Sequence, residues 1–239
     1  MSPARREFAA LVVFDVDGTL TDTMGIDHLC FTQAYSELFD GASMDDDFAH
    51  YEHVTDVGIF TESFRRSFDR DPGVDESASF KARFQELFST AVARDAGSCP
   101  PIVGADRIFG VLRNKGFAIA LATGSWRQMA TLKLASAGVP VGVAPMACGE
   151  DGVSRASIIK TAVSRAAEFH GVPGFSSVVC VGDGLWDARA ASELGHAFIG
   201  IARGSEAQRL HEAGACAVFE NYADELGFIE ACLRAGSGD

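Results

Sequence analysis

Apolar positions along this 239-residue chain follow two rhythms. Short aliphatic runs bounded by polar turns recur at 11–14, 117–122, 177–181, 197–201 and 215–219. They are too short for helices and right for strands buried on both faces. Between them, apolar residues at helical spacing predict helices over 105–115, 126–137, 156–169, 188–194, 205–213 and from about 223 onward. Gly116 and Gly138 stop the first two. Residues 139–147 read as a weaker strand, broken by Pro140 and Pro145. Strand and helix alternate, which predicts a parallel sheet covered by helices on both faces.

The second rhythm runs from Met24 to Ala96, where strand signals are almost lacking. Leu29, Phe31, Ala34, Tyr35, Leu38 and Phe39 recur at helical spacing, as do Phe60, Phe64 and Phe68, then Phe80, Phe84, Leu87, Phe88 and Ala91. Such phenylalanine stripes are core. Asp45–Asp47 and Asp69–Gly73 read as solvated connections. Cys99-Pro100-Pro101 marks the return to alternation. The predicted organisation is α/β: a Rossmann-like parallel-sheet core from residues 1–22 and 98–239, with an inserted α-helical domain over 23–97.

Chemistry gathers where the strands end. The first runs into Asp15-Val16-Asp17-Gly18-Thr19-Leu20, the second into Thr123-Gly124-Ser125, and the third long one into Gly182-Asp183-Gly184-Leu185-Trp186-Asp187. In a parallel sheet all of these project from one edge, where open α/β sheets bind ligands. Clustered carboxylates repel unless a cation sits among them, and a hard divalent ion such as Mg²⁺ suits that oxygen set. Magnesium in turn implies a phosphate-bearing ligand, for which a Thr hydroxyl and the free N–H groups of a strand-to-helix turn are apt partners. An Arg or Lys would complete the cradle.

Composition narrows the field. A net charge of −13 opposes nucleic-acid binding. Six scattered cysteines, with no C-x-x-C pair, read as small buried hydrophobes, not as a disulfide or zinc framework. Residues 1–14 lack the apolar core and cleavage site of a leader peptide. No run approaches the ~18 apolar residues of a membrane span. The chain is therefore expected to be cytoplasmic.

The motifs resemble those of the haloacid dehalogenase superfamily, in its phosphatase branch, with the insertion similar to its type 1 helical cap. The resemblance covers residues 8–22 and 98–239. It implies that Asp15 is the nucleophile, becoming an aspartyl phosphate, and that Asp17 is the general acid and base. It implies further that Thr123 with Gly124 binds the phosphoryl group. Mg²⁺ would be held by Asp15, the backbone carbonyl of Asp17, and Asp183, with Asp187 supporting its water shell. The family's usual Lys-Pro is missing here. Arg155, at the entrance of the 156–169 helix, is preferred as the cation over Lys160, with Arg65 and Arg66 as fallbacks. The expected substrate is a small-molecule phosphate ester and the expected assembly a monomer or homodimer.

Phosphoglycolate phosphatase is the nearest activity by resemblance. A β-phosphoglucomutase-like transfer, suggested by Thr21-Asp22-Thr23 and His28, is the alternative, as is a silent ligand-binding relative. Phosphonoacetaldehyde hydrolases need a cap lysine, and Lys81 is the one lysine between Leu20 and Pro100. Dehalogenases that cleave carbon–halogen bonds lack the second acid, which Asp17 supplies.

Overall fold

The computed structural model describes residues 8, 10–140 and 142–237. The segment weighed for a leader therefore falls largely outside the described residues. Its centre is a six-stranded parallel sheet in the order β3-β2-β1-β4-β5-β6. The strands are β1 (Leu11–Phe14), β2 (Ala118–Ala122), β3 (Met146–Ala147), β4 (Val178–Gly182), β5 (Ala197–Ile201) and β6 (Ala217–Phe219). β1 pairs in register with β2 on one side and β4 on the other. The chain thus winds outward through β2 and β3, then crosses back to β4. That reversal is the topological switch point at which such sheets bind ligands.

Alternation along β1 builds two cores. Val12 and Phe14 face α4 (Ala105–Asn114) and α9 (Glu225–Ser237), packing with Ile108, Phe109, Leu112 and Phe228. Leu11 and Val13 face α6 (Arg155–His170) and α7 (Leu185–Glu193), packing with Ile158, Ala162, Ala166 and Ala188. α8 (Gly204–Glu212) joins the second layer through Leu210, and α5 (Arg127–Ser136) the first through Met129 and Leu134.

Between β1 and α4 lie α1 (Met24–Leu38), α2 (Asp56–Phe68) and α3 (Val74–Arg94), none of which joins the sheet. Phe31, Phe60, Phe64, Phe80, Phe84 and Phe88 are all buried. Phe60 and Phe80 stack at 4.3 Å between centroids. Each ring is worth roughly 1.5–3 kcal/mol of burial, so the stripe holds the three helices together. Three stripe positions do not close. Leu29 is 67% exposed, and Leu38 and Phe68 are each 39% exposed.

Three further readings need correction. The weak strand over 139–147 contracts to Met146–Ala147. Pro140 and Pro145 carry no N–H for the ladder, and Gly142 turns the chain at φ +76°. Helix α7 begins at Leu185, so Trp186 and Asp187 stand on its first turn. Cys216 is exposed, whereas the other five cysteines are buried. Among the described residues no helix is long and apolar enough to cross a membrane.

Candidate active site

The loop after β1 places its acids through Gly18. Its φ is +68°, and a Cβ there would come within 2.0 Å of Asp183 Oδ2. Only glycine allows the turn and the approach of the β4 loop together. Asp15, 4% exposed, receives a hydrogen bond from Arg155 Nη1 to its Oδ1 at 2.7 Å. Its Oδ2 is buried without a hydrogen-bond partner, as is Asp183 Oδ1. Asp187, at the third position of α7, reaches back to accept from Gly184 N–H at 3.2 Å, and its Oδ1 lies 3.7 Å from Arg155 Nε.

Asp15, Asp183 and Asp187 each offer a carboxylate oxygen within 4.8 Å of the others. Burial pushes all three carboxyls up, Asp183 furthest with Asp187 and Asp15 beside it, and Asp187 to about 7. Arg155 opposes the rise at each of them. One arginine against two buried acids and a half-buried third leaves a negative surplus. With two orphaned oxygens, that surplus fits a hard divalent cation. Asp187 completes this group, whereas the Asp17 side chain does not belong to it.

Asp17 is tied elsewhere. Its Oδ1 accepts from the Thr23 hydroxyl at 2.5 Å, and its Oδ2 from the Ser125 hydroxyl at 2.9 Å. Lys133 Nζ stands 2.9 Å from Oδ1 and 3.0 Å from Oδ2. Burial alone would raise the Asp17 carboxyl, but Lys133 and the Thr23 and Ser125 hydroxyls hold it below the usual value. Lys133 is 0% exposed on α5, and also donates to Ser125 Oγ at 2.9 Å and meets Asp27 Oδ1 at 2.5 Å. Burial pushes Asp27 to about 8 and Asp56 to about 6, against the pull of Lys133. Sequence patterning missed Lys133, Asp27, Asp56 and Ser125.

The insertion closes over these groups. Asp56 N–H donates to Gly124 O at 3.0 Å, and Asp56 Oδ2 accepts from Trp126 N–H at 2.8 Å. The Thr55 hydroxyl donates to Val153 O at 3.1 Å, and Arg155 Nε donates to Val54 O at 3.1 Å. A Cβ on Gly124 would lie 2.9 Å from Val54 O, so this approach also needs glycine. A half-open chamber of about 40 Å³ is lined by Asp15, Asp17, Arg155 and Asp183 from the sheet edge and by Asp27 and Asp56 from the insertion. It shares Val54, Arg155, Asp183 and Trp186 with an outer cleft of about 500 Å³.

Other expected residues are placed differently. Gly124 and Ser125 line the chamber, whereas the buried Thr123 hydroxyl accepts from Ser125 N–H at 3.1 Å behind that wall. Lys160 is exposed on α6, more than a turn beyond Arg155. Arg65 and Arg66 pair with Asp71 and Glu62 on the exterior. Lys81 bridges to Glu150 at 2.5 Å, and His28 packs on Phe48 with the rings tilted and their centroids 4.7 Å apart.

Several solved structures share this architecture. A hydrolase from Pseudomonas syringae superposes with TM-score 0.70 at 19% identity, over 92% of this chain and 98% of its own. A putative beta-phosphoglucomutase from Bacteroides vulgatus gives 0.68 at 16% identity, over 98% and 91%. A predicted phosphoglycolate phosphatase from Haemophilus somnus gives 0.64 at 16%, over 92% and 97%. No curated protein matches the sequence. At these identities the likeness speaks for the fold. The sequence itself matches the model of the haloacid dehalogenase-like hydrolases over residues 9–195, and the chain belongs to that family.

Proposed function

We propose that the protein is a Mg²⁺-dependent phosphoric monoester hydrolase acting on a small phosphorylated metabolite, with phosphoglycolate phosphatase-like chemistry. One observation carries this reading. Asp15 is buried, fixed by Arg155 through one oxygen, and presents the other, unpartnered, in a chamber it shares with Asp17. A carboxylate so placed is a nucleophile. Asp15 would attack phosphorus, forming a P–O bond while the ester P–O bond breaks. Asp17 would deliver the proton to the leaving oxygen and then take one from the water that hydrolyses the aspartyl phosphate. Arg155 would bind the phosphoryl oxygens beside Asp15, and the Gly124–Ser125 turn would border them.

Asp15, Asp183 and Asp187, with the backbone carbonyl of Asp17, would hold Mg²⁺. The ion's part is to neutralise charge as two anions meet. The helices over residues 23–97 would serve as a cap domain on the core of residues 1–22 and 98–239. The chamber of about 40 Å³ opens toward the outer cleft of about 500 Å³, through which a phosphate ester would enter.

The test is hydrolysis of p-nitrophenyl phosphate with Mg²⁺ and with EDTA, using the parent and Asp15→Asn. The parent should turn over only with the metal, and acid-quenched parent should carry a phosphoryl adduct by intact mass. Asp15→Asn should show neither. Activity within about tenfold of the parent would exclude Asp15 as nucleophile, because losing a covalent catalyst costs orders of magnitude.

A further inference from the structure

Trp186 serves neither core. It stands on the first turn of α7, half-buried, yet among the described residues it joins neither hydrophobic cluster, and no ring or cation stacks on it. Its Nε1 is buried without a hydrogen-bond partner. Trp126 shows the contrast. It packs among Phe31, Phe80 and Phe84, with the Lys81 ammonium 5.4 Å from its ring centroid. A tryptophan from which the fold draws neither core packing nor a hydrogen bond is free to serve a ligand. The loop before it is nevertheless shaped for it. A Cβ on Gly184 would lie 2.1 Å from Trp186 Cε2, so the glycine lets the indole lie against the backbone after Asp183.

The indole borders the passage between the two cavities. The half-open chamber of about 40 Å³ and the outer cleft of about 500 Å³ share Val54, Arg155, Asp183 and Trp186. Arg155 is engaged with Asp15, and Asp183 belongs to the group that suits a cation. Val54 and Trp186 are thus the apolar surface of the passage, one from the insertion and one from α7. In the proposed reaction phosphorus stands beside Asp15, in the chamber. The ester oxygen then leads the leaving group past Val54 and Trp186 into the cleft. Volume separates the leaving groups that could follow this path. The cleft falls in the range of roughly 300–1,000 Å³ found for ligand pockets, and a two-carbon leaving group would surrender most of it to water. A ring would cover the indole, and removing apolar surface on both partners from water favours it. Charge does not choose between them. Arg189 and Arg209 share the cleft with Glu52, Glu193 and Glu206, and Arg209 pairs with Glu206 at 3.0 Å.

We propose that Trp186 is a specificity-determining residue of this site, and that the substrate is a phosphate monoester whose leaving group carries a ring with an apolar face that packs on the indole. This rests on the phosphatase reading and narrows its substrate class. A sugar ring offers such a face through its C–H groups and a nucleobase through its π-system.

Four esters of primary alcohols separate the ring from the reactivity of the leaving group: glucose 6-phosphate and uridine 5′-monophosphate against glycerol 3-phosphate and phosphoglycolate. p-Nitrophenyl phosphate is the control for hydrolase activity. Expected kcat/KM for the better ring-bearing ester exceeds that for either acyclic one by roughly ten- to a hundredfold, as for one ring stacked on an aromatic side chain. Which ring leads tells a sugar from a base. Trp186→Ala should shrink the ratio by roughly tenfold, chiefly through KM, and Trp186→Phe, which keeps an aromatic face, should retain most of it. A merely structural role would lower both members of the ratio together and leave it unchanged. Turnover of p-nitrophenyl phosphate with an acyclic ester equal or preferred overturns the inference and spares the phosphatase reading. So does a ratio that Trp186→Ala leaves unchanged, or one that falls as far in Trp186→Phe as in Trp186→Ala. Failure to hydrolyse any of the five esters overturns the phosphatase reading instead. Calorimetric titration of the unaltered protein with the same four alkyl esters then reads the preference without turnover, and equal or absent binding refutes it.

Discussion

Replacing Lys133 by Met isolates the least expected feature of the site. The two side chains are similar in length, so the change removes charge with little volume. It strands Asp17 and Asp27, which lose partners at 2.9 and 2.5 Å beside a fully buried position. Removing one partner of a buried ion pair costs about 3–5 kcal/mol, and that is the expected destabilisation at pH 8. Part of the loss should be recoverable by acid. In the parent, Asp17 is held below its ordinary value, so its contribution is present above that value and lost as pH falls. Without Lys133, burial and Asp15 would raise it instead. Its contribution would then be fully present below the unfolded value and lost as pH rises through the folded one. The gap between parent and variant should therefore widen with pH, by up to about 1.4 kcal/mol per unit for the one carboxyl. Urea unfolding at pH 5.5 and 8.0 reads this directly. A loss under about 1 kcal/mol, equal at both values, is what a surface lysine would give. It would refute the buried network.

Three further substitutions probe the proposed chemistry. Arg155→Ala should lower kcat/KM for a phosphate ester by roughly two to three orders of magnitude, as for loss of one charged donor, while Lys160→Ala stays near the parent. Steady-state kinetics showing the reverse would move the cation to Lys160. Asp17→Asn should spare p-nitrophenyl phosphate, whose leaving group needs no proton, far more than alkyl phosphates. Equal losses on the two would remove Asp17 as general acid.

The architecture was legible because each strand is a self-contained signal. Leu11–Phe14, Ala118–Ala122 and Val178–Gly182 are apolar runs buried on both faces, and their terminal polar residues reach one edge wherever the loops run. Asp15 and Asp183 follow from that alone. The strand over 139–147 misled because its apolar residues outvoted two prolines. Thr123 follows β2 as expected; its hydroxyl accepts from Ser125 N–H, and the next two residues line the chamber.

Lys133, Asp27 and Asp56 were not read from the sequence, although a signal existed. Lys133 follows Met129 and Ala130 and precedes Ala137 at helical spacing, all buried, so it sits on an apolar stripe. Asp27 precedes Cys30 and Phe31, and Asp56 precedes Ile59 and Phe60, in the same relation. A charge on an apolar face costs several kcal/mol unless paired. Such residues imply partners on other helices, which periodicity cannot name. The partners here come from three elements distant in sequence: the β1 loop, the insertion and α5. The structure joins them only where the insertion meets the sheet edge.

That junction also explains why two acidic groups so close together behave differently. Asp15, Asp183 and Asp187 share one arginine and keep two orphaned oxygens, so their negative charge is left for a cation to balance. Asp17 has both oxygens satisfied, by Thr23 on one side and Ser125 on the other, with Lys133 across the pair. A nucleophile must be available, whereas an acid that both gives and takes a proton must be held in place. The α5 lysine supplies that hold from behind, where it cannot compete with Arg155 for the phosphoryl oxygens. Its second partner, Asp27, comes from the insertion. The same ammonium that holds Asp17 thus ties the insertion to the sheet, and in the proposed mechanism the position of the insertion and proton transfer would be coupled through one buried side chain.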